Sequence, residues 1–293
     1  MRRNVDDRPT FRQRDVQRRF DRAAGSFDSA DFVHAATRGA LMSRLEPLLV
    51  KARTILDLGS ATGSAGESLR KHYRSAHIVS LDLSRQMLRQ GARKRRRFSR
   101  ASSVQADAMQ LPFANGIFDL VFANMLLPWL DHPEQVFVEA SRVLKEGGVF
   151  AFSTLGPDSL RELARAWDEV DSHVHVPRFA DMHDIGDALV RAGISDPVLD
   201  VDRLTIQYTD TNRLFEDLTR AGARNTLEGR DTALLGKQRF ARFQEVLRER
   251  GESGPIRLEL ELVYGHGWGS LPRDRSSDFR VDVSSIGHRR PQT

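Results

Sequence analysis

The 293-residue chain contains no cysteine. It therefore has no disulfide framework and no thiol chemistry, which agrees with a reducing, cytoplasmic setting. No apolar run approaches the roughly 20 residues needed to cross a bilayer. The first residues lack the apolar middle of a secretory signal. Met1–Arg22 is Arg-rich but carries Asp6, Asp7, Asp15 and Asp21, which argues against a transit peptide. A large excess of one charge is also missing: 45 Lys and Arg stand against 40 Asp and Glu, a net +5. What excess there is lies in Arg89–Arg100 (R-Q-G-A-R-K-R-R-R-F-S-R), seven basic residues and no acid. That run reads as a docking patch for an acidic partner, above all Arg93, Arg95, Arg96 and Arg97, or as a solvated helix end. No aromatic-interleaved or named nucleic-acid motif accompanies it, which disfavours nucleic acid.

The most informative stretch is Thr54–Gly66, T-I-L-D-L-G-S-A-T-G-S-A-G. Ile55, Leu56 and Leu58 form an apolar run around one acid, Asp57. Small residues follow, and then a helical pattern over Glu67–Tyr73. A buried parallel strand hands over to a helix through a glycine turn in this way. Gly59 and Gly63 permit positive φ and let a ligand approach the backbone. The strict G-x-G-x-x-G of a dinucleotide site is absent, because Ala61 stands where the second glycine would be. Two further strands each end on an acid at similar spacing. H-I-V-S-L-D-L-S ends on Asp82, placed to accept from two ribose hydroxyls. V-Q-A-D-A ends on Asp107, placed to accept from the exocyclic amine of an adenine. Three acids at three strand ends point to an adenosyl ligand.

These residues resemble the class I S-adenosylmethionine (SAM)-dependent methyltransferases, whose first motif D-L-G-x-G-x-G is matched over Asp57–Gly63 except at Ala61. L-P-F-A-N-G-I-F-D-L-V-F-A-N (111–124) and R-V-L-K-E-G-G-V-F-A-F-S-T (142–154) match later motifs. The resemblance covers roughly residues 45–210. It implies an α/β fold: a doubly wound, Rossmann-like seven-stranded sheet, mostly parallel with an antiparallel edge strand, plus a helical cap. It implies S-adenosyl-L-methionine as cofactor.

In chain order, strands are expected at 54–58, 77–82, 102–106, 118–124 and 148–154, with helices at 64–73, 84–95 and 133–144. Strands alternating with helices argue for right-handed crossovers and a parallel sheet. Two helices, Asp15–Ser29 and His34–Val50, precede the core. Beyond it come helices at Asp158–Val170, Met182–Ala192, Arg213–Gly222 and Lys237–Arg248, a strand at Pro197–Tyr208, and a strictly alternating, edge-type antiparallel strand at Ile256–Tyr264. The expected organisation is a tail with cap helices (1–50), a cofactor-binding core (51–155), a cap insertion (156–181), core (182–209), a second cap insertion (210–253), the last core strand (254–268) and a flexible tail (269–293).

Three stretches narrow the resemblance: R-R-F-D-R-A-A-G-S-F-D (18–28), L-L-P-W-L-D-H-P (126–133) with F-S-T-L-G-P-D-S-L-R-E-L (152–163), and D-M-H-D-I-G-D-A-L-V-R-A-G (181–193). Together they are similar to the malonyl-acyl-carrier-protein O-methyltransferase family of biotin biosynthesis, which methylates the free carboxyl of a malonyl thioester. Phe27 stands where many relatives have a tyrosine. M-H-D-I-G-D also resembles an arginine-hydroxylating assembly factor of mitochondrial complex I. The resemblance implies that Gly59, Ser60 and Gly63 hold the methionine part of the cofactor through backbone contacts. Asp57 would brace the loop, and Asp82 with Leu83 would hold the ribose. Asp107 and Ala108 would frame the adenine, with Met87 packed beneath it. Asp82 has a plainer reading as a strand-end carboxylate capping the helix at Ser84.

Asn124 is a candidate to face the reactive centre; a turn asparagine is the competing reading. Met125, Leu126, Leu127 and Trp129 would wall the site or belong to ordinary core. No acid–base pair is assigned, because a malonyl carboxylate with a pKa of about 4 is already ionised near pH 7. Alignment and water exclusion are what the reaction asks of the protein. Arg178, Arg142 and Arg22 are candidates for a carboxylate clamp. His173, His175 and His183 form too loose a pattern for a metal site, so no metal is expected. The acceptor would be malonyl on an acidic acyl carrier protein, with no nucleic acid or membrane involved.

Overall fold

A computed structural model describes residues 11–95, 100–224, 227, 237–250 and 254–270. Helices α1 (Gln13–Ala23) and α2 (Phe32–Leu45) lead into β1 (Thr54–Leu58), α3 (Ser64–His72), β2 (His77–Asp82), α4 (Arg85–Lys94), β3 (Ala101–Gln105) and β4 (Phe118–Asn124). Then come α5 (Pro133–Val143), β5 (Leu144–Leu155), α6 (Arg161–Asp168), α7 (Met182–Arg191), β6 (Ile194–Tyr208), α8 (Thr211–Arg220), α9 (Lys237–Arg250) and β7 (Ile256–Gly269). The strands form one seven-stranded sheet in the order β3-β2-β1-β4-β5-β7-β6. The β1, β2, β3, β4 and β5 pairings are parallel, and β7 runs antiparallel to both β5 and β6. The strictly alternating antiparallel strand is therefore β7. It lies one place in from the rim, and the longer β6 forms the edge.

The alternation of side chains across a strand explains why helices cover both faces. Leu56, Val121, Phe150 and Phe152 point to one side and pack with Val136, Phe137 and Ala140 of α5 and with Ile185 and Leu189 of α7. Ile55, Leu120, Phe122, Val149 and Ala151 point to the other and pack with Leu41 and Leu45 of α2 and Leu69 of α3. Phe122, Phe137, Phe150 and Phe152 are at most 1% exposed. At roughly 1.5–3 kcal/mol for each fully buried large apolar side chain, these four dominate the local packing. A separate cluster joins Leu163 and Trp167 of α6, Leu214 of α8, Phe243 and Leu247 of α9, and the adjoining ends of β6 and β7. This is the cap. Its centre is a stack in which the Trp167 ring lies 3.9 Å from His175 and 4.0 Å from Phe243.

The expected elements recur with shifted ends. β5 starts at Leu144, and β6 starts at Ile194, before Pro197. The first helix ends at Ala23, and Phe27–Ser29 forms a separate short 3-10 turn. Residues 1–10 and 271–293 lie outside the described residues, and so does most of the expected flexible tail. Among the described residues no helix is long and apolar enough to cross a membrane.

Candidate cofactor and methyl-transfer site

The C-terminal ends of β3, β2, β1 and β4 lie side by side, so residues after each strand meet along one edge. In open α/β sheets ligands bind there. A cleft occupies this edge. Of the residues expected to bind the cofactor, Gly59, Asp82, Leu83, Asp107, Ala108 and Asn124 line it. Ser60, Gly63 and Met87 do not contribute to its walls. Ser60 and Met87 are buried behind it, and Met87 packs with Ala23, Ala24 and Phe27 where α4 meets α1.

The loop is built to hold its shape. Gly59 and Gly63 sit at φ +72° and +81°, the left-handed region that glycine occupies without strain. Ala61 also has positive φ, +44°, where a side chain is costly. The N–H groups of Gly59 and Ser60 both donate to the carbonyl of Leu81 at 2.9 Å, and that of Gly63 donates to the carbonyl of Ser60 at 2.8 Å. The N–H of Ala61 donates to Asp82 Oδ2 at 2.8 Å. All four are committed within the fold. What Gly59 presents to a ligand is therefore a close backbone approach rather than these donors.

Asp82 joins the loop to the next helix. Its Oδ1 accepts from the N–H of Ser84 at 2.7 Å, while Oδ2 holds Ala61. The capping reading and the ligand reading thus meet in one residue, since each oxygen has a second lone pair left to offer. Burial raises the Asp82 carboxyl to about 6, against the lowering pull of those two backbone donors. Asp57 lies behind the loop, 2% exposed, and burial raises it to about 7. Asp107 accepts from the N–H of Met109 at 2.9 Å and from Gln13 Nε2 at 2.5 Å.

That last contact brings in N-terminal side chains that the sequence reading did not name individually. Helix α1 lies over the cleft: its Gln13, Val16 and Phe20 line it, with Phe11 just before the helix and Phe27 in the turn after it. Gln17 Nε2 donates to the carbonyl of Leu83 at 3.1 Å, and Ser84 Oγ donates to Asp21 at 2.6 Å. Phe20 meets Trp129 edge-on with ring centroids 5.0 Å apart. His34 is a further lining residue, with its ring 5.0 Å from Phe27. Asn124 Nδ2 donates to the His34 carbonyl at 3.1 Å, and Asn124 Oδ1 accepts from Ser153 Oγ at 2.9 Å. The Asn124 amide thus ties α2 to the sheet. Met125, Leu126 and Trp129 line the cleft, whereas Leu127 lines a second one.

The second cleft adjoins the first and shares Phe11, Leu130 and Asp131 with it. Arg178 lines this second cleft. Arg142 does not: its guanidinium bonds to the carbonyls of Leu111 and Phe113, to Asn115 and to Glu139. Arg22 is an exposed residue of α1 that lines neither cleft. His175 Nε2 contacts Asp171 at 2.8 Å, and His183 contacts Asp181 at 2.7 Å at the start of α7. Among the described residues no group of three or more His, Asp or Glu is arranged to hold a metal.

Residues 56–152 match a family model described as a methyltransferase domain. The YcgJ protein of Bacillus subtilis superposes with a TM-score of 0.59 at 15% identity, covering 81% of this chain and all of that one, which shows a shared fold. A malonyl-[acyl-carrier protein] O-methyltransferase of Laribacter hongkongensis is 39% identical over 283 residues, 93% of this chain and 95% of the relative. The chain belongs to the malonyl-[acyl-carrier protein] O-methyltransferase family. A relative of the same name from Halorhodospira halophila is 37% identical over 293 residues, 98% of this chain and 99% of the other. Family likeness on that scale spans the cap as well as the core, including α1 and the segment bearing Arg178.

The residues of the cleft fit S-adenosyl-L-methionine. An acid at the end of β2 faces the same space as an acid after β3. A glycine at φ +72° lies next along the edge, and a buried imidazole Nδ1 of His34 has no hydrogen-bond partner among the described residues.

Proposed function

We propose that this chain transfers a methyl group from S-adenosyl-L-methionine to the free carboxylate of a malonyl group carried on acyl carrier protein, giving the methyl ester. The observation that carries the reading is the 37–39% identity to relatives of that name over nearly the whole chain, together with a cleft at the strand ends that adjoins a second one. The ester would cap the charge, so that the chain is elongated like a fatty acyl primer, an early step of biotin (pimeloyl) synthesis. The proposal takes the enzyme to act in the cytoplasm.

In this reading Asp82 and Leu83 hold the ribose, Asp107 and Ala108 frame the adenine, and Gly59 with the Ser60–Gly63 loop shapes the space for the methionyl end. When bound, the cofactor supplies an electrophilic methyl group on a sulfonium. The acceptor carboxylate is ionised at neutral pH, so no residue has to remove a proton. The protein instead provides alignment and a dry wall from Phe20, Phe27, Met125, Leu126 and Trp129. Asn124 acts by fixing α2 to β4 and β5 rather than on the acceptor. Of the three candidate clamps, only Arg178 lines the adjoining cleft, which supports it as the residue that meets the acceptor's carboxylate.

The acidic carrier would dock on the basic end of α4. Arg93 is exposed there, whereas Arg95 is partly buried, and Arg96 and Arg97 lie outside the described residues. Charge reversal at Arg93 and at Arg95–Arg97 is expected to slow turnover of carrier-bound substrate while sparing cofactor affinity. The test of the whole reading is to incubate the chain with methyl-labelled SAM and malonyl-carrier, then seek a labelled methyl ester by mass spectrometry. Transfer only to small-molecule acceptors, or hydroxylation in place of methylation, would replace this reading.

A further inference from the structure

We infer that His34 binds the α-carboxylate of the cofactor's methionyl end, as a neutral hydrogen-bond donor. The inference rests on the SAM reading above and goes beyond it by assigning a residue outside the glycine loop and the strand-end acids.

The order of the sheet sets which part of the ligand lies where. Asp107 follows β3, Asp82 ends β2, Gly59 follows β1 and Asn124 ends β4, and these strands are consecutive neighbours. An adenosine held at Asp107 and Asp82 sends its amino-acid end toward β1 and β4. That end carries one ammonium and one carboxylate. The carboxylate needs donors, and the loop has few to give, because the N–H groups of Gly59, Ser60, Ala61 and Gly63 are bonded internally.

His34 stands at the β4 end of the cleft, its carbonyl held by Asn124. Its ring lies against Phe27, an apolar residue that offers no hydroxyl of its own. Among the described residues its buried Nδ1 has no hydrogen-bond partner. A buried polar atom left unpaired is costly, and a ligand that pairs it recovers that cost. Burial, and the charge of Arg38 one turn along α2, lower the imidazole to about 4. The ring is thus neutral at pH 7 and keeps one N–H to donate. Arg38 is paired with Asp31 at 3.7 Å, so the preference for an anionic group rests on the imidazole N–H itself.

The test compares SAM with decarboxylated S-adenosylmethionine, which lacks only the α-carboxylate, by calorimetric titration into the full chain. A hydrogen bond to a charged group weakens binding by about ten- to a hundredfold when it is lost. His34→Phe is expected to bind SAM that much more weakly and to bind the decarboxylated analogue as the parent does. His34→Gln, which keeps a donor, is expected to restore SAM affinity to within a few-fold. Thermal melts of each variant report folding separately. Equal losses for both ligands, or no loss for SAM in a folded His34→Phe, would overturn the assignment. Failure of the parent chain to bind SAM at all would overturn the cofactor reading beneath it.

Discussion

Asp57→Asn isolates the cost of keeping a carboxylate beneath the cofactor loop. Asp57 is 2% exposed, its Oδ2 has no hydrogen-bond partner among the described residues, and burial raises its pKa from 3.8 to about 7. The N–H of Gly66 and the charges of Arg95 and Arg38 oppose that rise without cancelling it. Because the folded-state pKa is the higher one, the native state keeps a proton that the unfolded chain has lost between pH 4 and 7. Stability contributed by the protonated form is present below pH 4 and disappears as pH rises through 7. At 1.36 kcal/mol per pKa unit, the difference between 3.8 and about 7 amounts to roughly 4 kcal/mol, an upper bound. Asparagine cannot ionise, so the variant escapes this loss. The assay is urea unfolding of parent and Asp57→Asn at pH 4.5, 6 and 7.5, without cofactor. Titrations uncoupled from Asp57 cancel in the difference, and that of Asp82, whose charge helps raise Asp57, is eased in the variant and so acts in the same direction. The variant should gain relative to the parent by roughly 2 kcal/mol or more between pH 4.5 and 7.5. A difference independent of pH, or one that grows toward acid, would refute the reasoning.

Three further outcomes are expected. Ala61→Gly relieves a residue at φ +44° and should stabilise the chain by up to about 1 kcal/mol in thermal or urea melts, as the left-handed penalty outweighs glycine's entropy. Gln13→Ala frees the Asp107 oxygen that Gln13 holds at 2.5 Å. Affinity for S-adenosylhomocysteine should rise by roughly two- to fivefold in calorimetry, since a net hydrogen bond of about 0.5–1 kcal/mol no longer competes. Arg142→Ala removes bonds to Leu111, Phe113, Asn115 and Glu139. It should cost about 1.5–3 kcal/mol in melting experiments while leaving the KM for carrier-bound substrate unchanged, because the guanidinium holds the loop before β4 and not the acceptor.

The sheet and the acids at its edge were legible because they depend on short-range pattern. T-I-L-D-L followed by small residues gave β1 and its loop, and Asp82 and Asp107 fell at strand ends that the sheet aligns. Alternation over Ile256–Tyr264 identified an antiparallel strand, but alternation says nothing about neighbours, and β7 pairs on both sides. Helix periodicity likewise gives a face and not the object it covers. The stripe of Val16 and Phe20 was visible, yet its position over the cleft depends on Gln13 meeting Asp107, 94 residues away. Met87 looked suited to lie under an adenine; it packs against Ala23, Ala24 and Phe27 and does not line the cleft, a burial that depends on contacts remote in sequence. His34 gave no signal, since one histidine in a helix pattern reads as core until its Nδ1 is seen without a partner. Arg142 and Arg178 were equivalent as sequence and differ only in what surrounds them.

On the proposed reading, an adenosyl ligand lies along the carboxyl edge of β2 and β1, with its ribose on Asp82. Calorimetric titration of S-adenosylhomocysteine into the parent and into Asp82→Asn tests it most directly, because asparagine keeps the shape while removing the charge. Binding at least tenfold weaker in a variant that melts like the parent is the expected result, given charge-assisted bonds worth about 1.5–3 kcal/mol. Equal affinity in the two proteins would contradict the account.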